Sequence, residues 1–141
     1  MKIKLTSVFV SGQDKALKFY TSILGFVKKL DFPAGKFKWL TVVSPEEPEG
    51  TQLLLEPYDW KNPAAKTYRE ALFKEGIPAA NFFVEDIQKE YARLKDLGVV
   101  FTMNPTKTTG SIMAVLDDTC GNLIQLTQLT WDVNKSGQAT S

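Results

Sequence analysis

The sequence predicts an α+β fold in which two β-α-β-β-β repeats pair into a cup-shaped, mostly antiparallel half-barrel. Three observations carry this expectation. Val10–Gly25 and Val84–Gly98 both read strand, turn, helix, Leu-Gly, strand, with the second helix one residue shorter. Each such unit is followed by further strand-like runs separated by turn residues, so the two halves share one order. One half alone would leave a sheet face uncovered, which a second half remedies.

The elements follow in chain order. Ile3–Val10 alternates as a strand, with Ile3, Leu5, Ser7 and Phe9 on one face and Lys4, Thr6, Val8 and Val10 on the other, both expected to be largely covered. Ser11-Gly12-Gln13-Asp14 offers turn and cap chemistry before a helix whose apolar stripe is Ala16, Leu17, Tyr20, Ile23 and Leu24. Gly25 ends it. Strands are expected at Phe26–Phe32, Lys36–Ser44 and Thr51–Glu56, divided by Pro33-Ala34-Gly35 and by Pro45–Gly50. Asn62-Pro63 starts a helix over Ala64–Lys74 with Tyr68, Ala71 and Leu72 as its apolar side, and Gly76-Ile77-Pro78 stops it. The second half begins with a strand at Ala79–Val84. Asp86 caps a helix carrying Ile87, Tyr91, Leu94 and Leu97, and strands follow near Val99–Met103, Ser111–Leu116 and Asn122–Gln128. One domain over 1–131 is expected, with repeats at about 1–60 and 77–131, a helical linker at 61–76 and a frayed polar tail at 132–141.

Composition narrows the function. The chain has 141 residues, 17 basic against 16 acidic, and no histidine. A formal charge of +1 dispersed along the chain creates no field that gathers polyanions, so nucleic acid is not an expected partner. No apolar stretch approaches a membrane span and Met1–Thr6 has no signal-peptide pattern, so a cytoplasmic protein with no membrane partner is expected. The lone Cys120 cannot form an internal disulfide, in keeping with a reducing compartment. The missing imidazoles remove the commonest general base and metal ligand.

Several stretches together resemble the vicinal oxygen chelate superfamily of glyoxalases, bleomycin-resistance proteins and extradiol dioxygenases. They are Ala16-Leu17-Lys18-Phe19-Tyr20 with Leu24-Gly25-Phe26, Val84-Glu85-Asp86 with Leu94–Val99, and Asp117–Leu126. The resemblance spans about Lys2 to Leu129 and implies the cup and a homodimer. It also implies one metal-ligand position in each of four strands, which fall on Leu5, Leu54, Ala79 and Gln125. Three of those side chains have no lone pair and the fourth is a neutral amide, so the expectation is a member without its metal and with no cofactor.

If Leu54 faces the cup, alternation turns Gln52 and Glu56 the same way, while Gln125 brings Leu123 and Thr127 and Ala79 brings Asn81 and Phe83. With Phe9, Phe37 and Trp39 these make an apolar, aromatic lining with a few amides, suited to a flat or partly apolar small molecule, unless the side chains simply fill the core. Gln125 either orients a ligand or is satisfied by neighbouring backbone. Glu56 is the general-base candidate, through burial beside Leu54 and Trp60; the alternative is a solvated carboxylate at a strand end. Cys120 has no activating histidine and acidic neighbours that raise its pKa, so it is not an expected nucleophile. Asp117 and Asp118 read as turn formers with solvated charges, and Gly50, Gly110 and Gly121 as turn glycines.

Three functions remain open on this reading. The first is a metal-free module that binds or sequesters a small molecule, a trap for a cationic glycopeptide being disfavoured by the near-neutral charge. The second is a lyase or isomerase using Glu56 or an atypical metal site. The third is a structural or interaction domain with the cup packed shut.

Overall fold

A computed structural model describes residues 1–58 and 63–131, and within them the two repeats form two four-stranded sheets. The elements are β1 (Leu5–Val10), α1 (Gln13–Lys18) running into a π turn (Phe19–Ile23), β2 (Val27–Ala34), β3 (Phe37–Val43), β4 (Gln52–Pro57), α2 (Pro63–Glu75), β5 (Ala80–Phe83), α3 (Ile87–Asp96), β6 (Phe101–Thr108), β7 (Ser111–Asp117) and β8 (Leu123–Leu129). Strand order is β1-β4-β3-β2 in one sheet and β5-β8-β7-β6 in the other, with one parallel pair in each and the rest antiparallel. Neither sheet closes on itself, so the α+β half-barrel read from the sequence is the architecture observed.

The ladders repeat in register. Strand β5 repeats β1 at an offset of 74 residues (Thr6 to Ala80), β7 repeats β3 at the same offset (Thr41 to Val115), and β8 repeats β4 at 71 (Leu54 to Gln125). The change from 74 to 71 lies in the turn between the last two strands, which is residues 44–51 in the first repeat and the shorter 118–122 in the second. The extra residue of the first helix has a local cause. Phe26 N–H donates to the Tyr20 carbonyl whereas Val99 N–H donates to that of Leu94, so the first helix closes over six residues what the second closes over five. The π turn absorbs the surplus.

Side chains on one face of both sheets share a single core with the helices. Val8, Val10, Leu40, Val42, Leu53 and Leu55 meet Ala16, Phe19 and Tyr20, and these join Ile87, Leu94, Ala114, Leu116, Ile124 and Leu126 of the second repeat. Tyr20 lies edge-on to Phe82, 6.4 Å between centroids, and Phe26 does so at 5.0 Å, so aromatic rings bridge the halves. Among the described residues, the opposite face of each sheet carries no helix.

Several expectations change. The N-terminal end of the first strand is not covered: Ile3 lies before β1 and is open, as is Leu5. Strand β2 runs on through Pro33 to Ala34, and β6 continues through Pro105 to Thr108. Both are outer strands, where a residue without an N–H costs no ladder bond to a further neighbour, and β6 shifts register between Met103 and Thr106. The expected apolar side of α2 is not what it buries. Tyr68 is 59% exposed, and the buried residue is Arg69, whose guanidinium donates to the Gly121 carbonyl (2.6 Å) and the Tyr58 hydroxyl (3.1 Å). The expected helix cap at Asn62 and the tail at 132–141 lie outside the described residues.

Candidate functional site

The two faces without helices are furnished differently. On the first sheet, alternation and the cross-strand pairs Phe32–Trp39, Leu30–Thr41 and Thr41–Leu54 place Phe32, Trp39, Leu30, Thr41, Leu54, Gln52, Glu56, Ser7 and Phe9 together. Phe32 and Trp39 stack, 6.4 Å between centroids and 19° between planes, and Phe32 is 49% exposed. Beside them the Thr41 hydroxyl donates to Gln52 Oε1 at 2.7 Å, and Thr41 Oγ1 accepts from the Leu30 amide at 3.1 Å. This is an aromatic wall with an amide fixed by Thr41 further along the same face. Glu56 is half-buried and pairs with Phe9 across the parallel ladder, and no basic residue makes an ion pair with it among the described residues. Trp60 lies outside the described residues.

On the second sheet the same positions hold Asn81, Phe83, Gln125, Thr127, Met113 and Val115. They form a chain of polar contacts: Gln125 Nε2 donates to Thr127 Oγ1 (3.2 Å) and lies 3.0 Å from Met113 Sδ, and the Thr127 hydroxyl donates to Asn81 Oδ1 (2.8 Å). Gln125 is therefore held by side chains. Phe83 is 62% exposed at the strand end, the counterpart of Phe9.

Gln52, Glu56, Phe9, Trp39 and Phe37 thus sit on the first sheet, and Asn81, Phe83 and Gln125 on the second. No hydrogen bond within the chain joins the two sets among the described residues. The four positions implied as metal ligands hold leucine (Leu5, Leu54), alanine (Ala79) and the engaged Gln125, a donor set that does not fit a zinc, iron or manganese ion. Among the described residues no group of three or more His, Cys, Asp or Glu side chains converges.

The polar cluster that sequence reasoning missed lies in the turn before β8. Asp118 is fully buried, not solvated. Its carboxylate accepts from Tyr20 OH (2.7 Å), Cys120 N (2.7 Å), Asn122 N (2.9 Å) and Asn122 Nδ2 (2.9 Å), and Asn122 Nδ2 also donates to the Phe9 carbonyl (2.8 Å). Asp118 does form the turn, through the Cys120 and Asn122 amides, but its charge is not solvated, because a carboxylate with this many donors is stable away from water. Asp117 makes the same kind of turn bond, accepting from the Thr119 amide, and is only half-buried. The nearest signal in the sequence was Tyr20, a polar-tipped residue inside an apolar stripe. Burial raises its pKa well above the ordinary tyrosine value, with Asp118 adding to the effect. Burial and then Asp118 push the Cys120 thiol up to about 11, so it is no nucleophile at neutral pH.

The comparisons with known proteins agree with this architecture. Residues 2–126 match the family model of the Glyoxalase/Bleomycin resistance protein/Dioxygenase superfamily. The uncharacterized protein YurT of Bacillus subtilis (strain 168) is 59% identical over 128 residues, 91% of this chain and 99% of its own. Among solved structures, UcmS2 is 31% identical with a TM-score of 0.77 over 90% of this chain and 97% of its own. TnmS3, an antibiotic binding protein from Streptomyces sp. CB03234, is 27% identical with a TM-score of 0.73 over 92% and 97%.

Proposed function

This chain belongs to the Glyoxalase/Bleomycin resistance protein/Dioxygenase superfamily, and we propose that within it the protein sequesters a small, partly apolar molecule without a resident metal. The observation that carries the reading is the stacked Phe32–Trp39 pair, open to solvent on a sheet face that no helix covers. A flat ligand lying on that pair gains apolar burial and ring stacking, while the Thr41–Gln52 hydrogen bond presents an oriented amide beside it. The likeness to TnmS3 supports binding as the activity.

One wall does not enclose a ligand. The Asn81–Thr127–Gln125 chain on the other sheet is its polar complement, and a homodimer supplies both when the first sheet of one copy faces the second sheet of its partner. In that arrangement Gln52, Glu56, Phe9 and Trp39 share a cavity with Asn81, Phe83 and Gln125. The cytoplasm suits the lone buried thiol of Cys120.

Tryptophan fluorescence during titration with a panel of flat polycyclic antibiotics tests the reading. Saturable quenching that Trp39→Ala abolishes, with one ligand per chain and a dimeric mass in solution, is the expected result. Near-stoichiometric zinc, iron or manganese in the purified protein, lost in a Gln125→Leu/Glu56→Gln double variant, would overturn it. So would turnover of the bound compound.

A further inference from the structure

The repeats meet along a joint with two sides, related by the same offset that relates the ladders. On one side Tyr20 reaches Asp118, the Ser11 amide donates to the Cys120 carbonyl (3.1 Å), and the seam is sealed. On the other side the counterparts of Tyr20 and Asp118, 74 residues away in each case, are Leu94 and Ser44. Leucine cannot donate to serine as tyrosine does to a carboxylate. The start of the longer 44–51 turn lines this side with Ser44, Pro45 and Glu46, and it is Ser44 that stands where Asp118 meets a tyrosine across the seam. A cleft of about 660 Å³ opens there, floored by Leu24, Phe26, Phe82, Leu94 and Leu126.

We propose that this cleft is a second binding site, for a small monocation with an apolar aromatic body. Its size suits a two- or three-ring compound. Its rim holds four carboxylates, Glu46, Glu85, Asp86 and Glu90, against two cations, Lys89 and Arg93. Arg93 is already committed: its Nε and Nη2 donate to Glu90, and Nη1 donates to the Ile23 carbonyl. The start of α3 offers an anion little, because Asp86 caps the Lys89 amide and Gln128 Oε1 takes the Ile87 amide. Glu46 and Glu85 form no ion pair among the described residues and are left to meet an ammonium group. The local field is acidic although the whole chain is near neutral.

The test uses three probes of one shape, 1-naphthylmethylammonium, 1-naphthalenemethanol and 1-naphthoate, with methyl NMR shifts as the readout. The ammonium probe is expected to saturate shifts at Leu24, Leu94 and Leu126 and to bind about tenfold more tightly than naphthoate. Glu46→Gln/Glu85→Gln, two surface changes, should erase that preference. Ser44→Asp/Leu94→Tyr, which rebuilds the sealed seam, should remove the shifts. Naphthoate binding as well as the ammonium, or shifts confined to Leu54 and Met113 on the helix-free faces, would overturn the proposal. Trp39→Ala separates the two sites, because it abolishes binding on the aromatic wall and leaves the cleft shifts intact.

Discussion

The first and second repeats are built on one ladder and have been furnished to opposite ends. Thr41 pairs with Leu54 as Val115 pairs with Gln125, yet one helix-free face is an aromatic wall and the other a row of amides and hydroxyls. The seam between them diverges likewise, sealed by Tyr20 and Asp118 on one side and open between Leu94 and Ser44 on the other. Backbone pairing needs only alternation and register, so it survives changes of side chain that reverse the character of a surface. Duplication supplied the frame, and the departures from symmetry are where binding can reside.

The sharpest way to break the comparison is at matched glycines. Gly121 has φ +98°, and an added Cβ would land on the Arg69 guanidinium. Gly121→Ala should therefore lower unfolding free energy by roughly 3–5 kcal/mol in urea melts. Its counterpart Gly50 lies outside the left-handed region, where a Cβ would meet Glu47 at 3.0 Å, and Gly50→Ala should cost about 1 kcal/mol. Next comes the seam. Asp118→Ala strands the Tyr20 hydroxyl and the Cys120 and Asn122 amides and should cost about 3 kcal/mol, whereas Ser44→Ala should stay within about 0.5 kcal/mol.

Alkaline pH sharpens the same contrast. The folded Cys120 thiol is held at about 11 against an ordinary 9.0, so the unfolded chain loses that proton first. Stability is whole below pH 9 and falls as pH climbs toward 11, and Tyr20, raised in the same sense, extends the loss upward. A Tm series from pH 7 to 11 should show this decline, and Cys120→Ala should flatten its first part. A small effect on stability is also expected on the aromatic wall. Phe32→Ala should change unfolding free energy by less than about 1 kcal/mol, because the ring is half in solvent, while still weakening ligand binding.

The repeat, the strand order within it and the two helices that bear on the core were readable because period and turn chemistry are local. The surplus residue of the first helix was also visible, although only the fold shows it as a π turn over Phe19–Ile23, closed by Phe26 N–H on the Tyr20 carbonyl. Pro33 reads as a strand divider and is not one, and the strand expected near Val99–Met103 runs on through Pro105, since whether a strand is outermost is decided by partners far along the chain. For the site, alternation did place Gln52 with Leu54 and Asn81 with Phe83, each pair on one face. Which two faces share a core does not follow from alternation. Nor does the burial of Asp118, whose donors come from Tyr20 on one side and its own turn on the other.

Pro33 and Pro105 bear on how the molecule behaves when concentrated. Each removes an amide from the outer strand of its sheet, so β2 and β6 are poor templates for a foreign strand. The opposite edges, β1 and β5, carry no proline. In the homodimer proposed above, a reciprocal pairing with β1 of each copy beside β5 of the other would use both permissive edges of both copies. Association by that route would stop at two copies and would leave only the proline-bearing edges, from which a fibre along the sheets would not start.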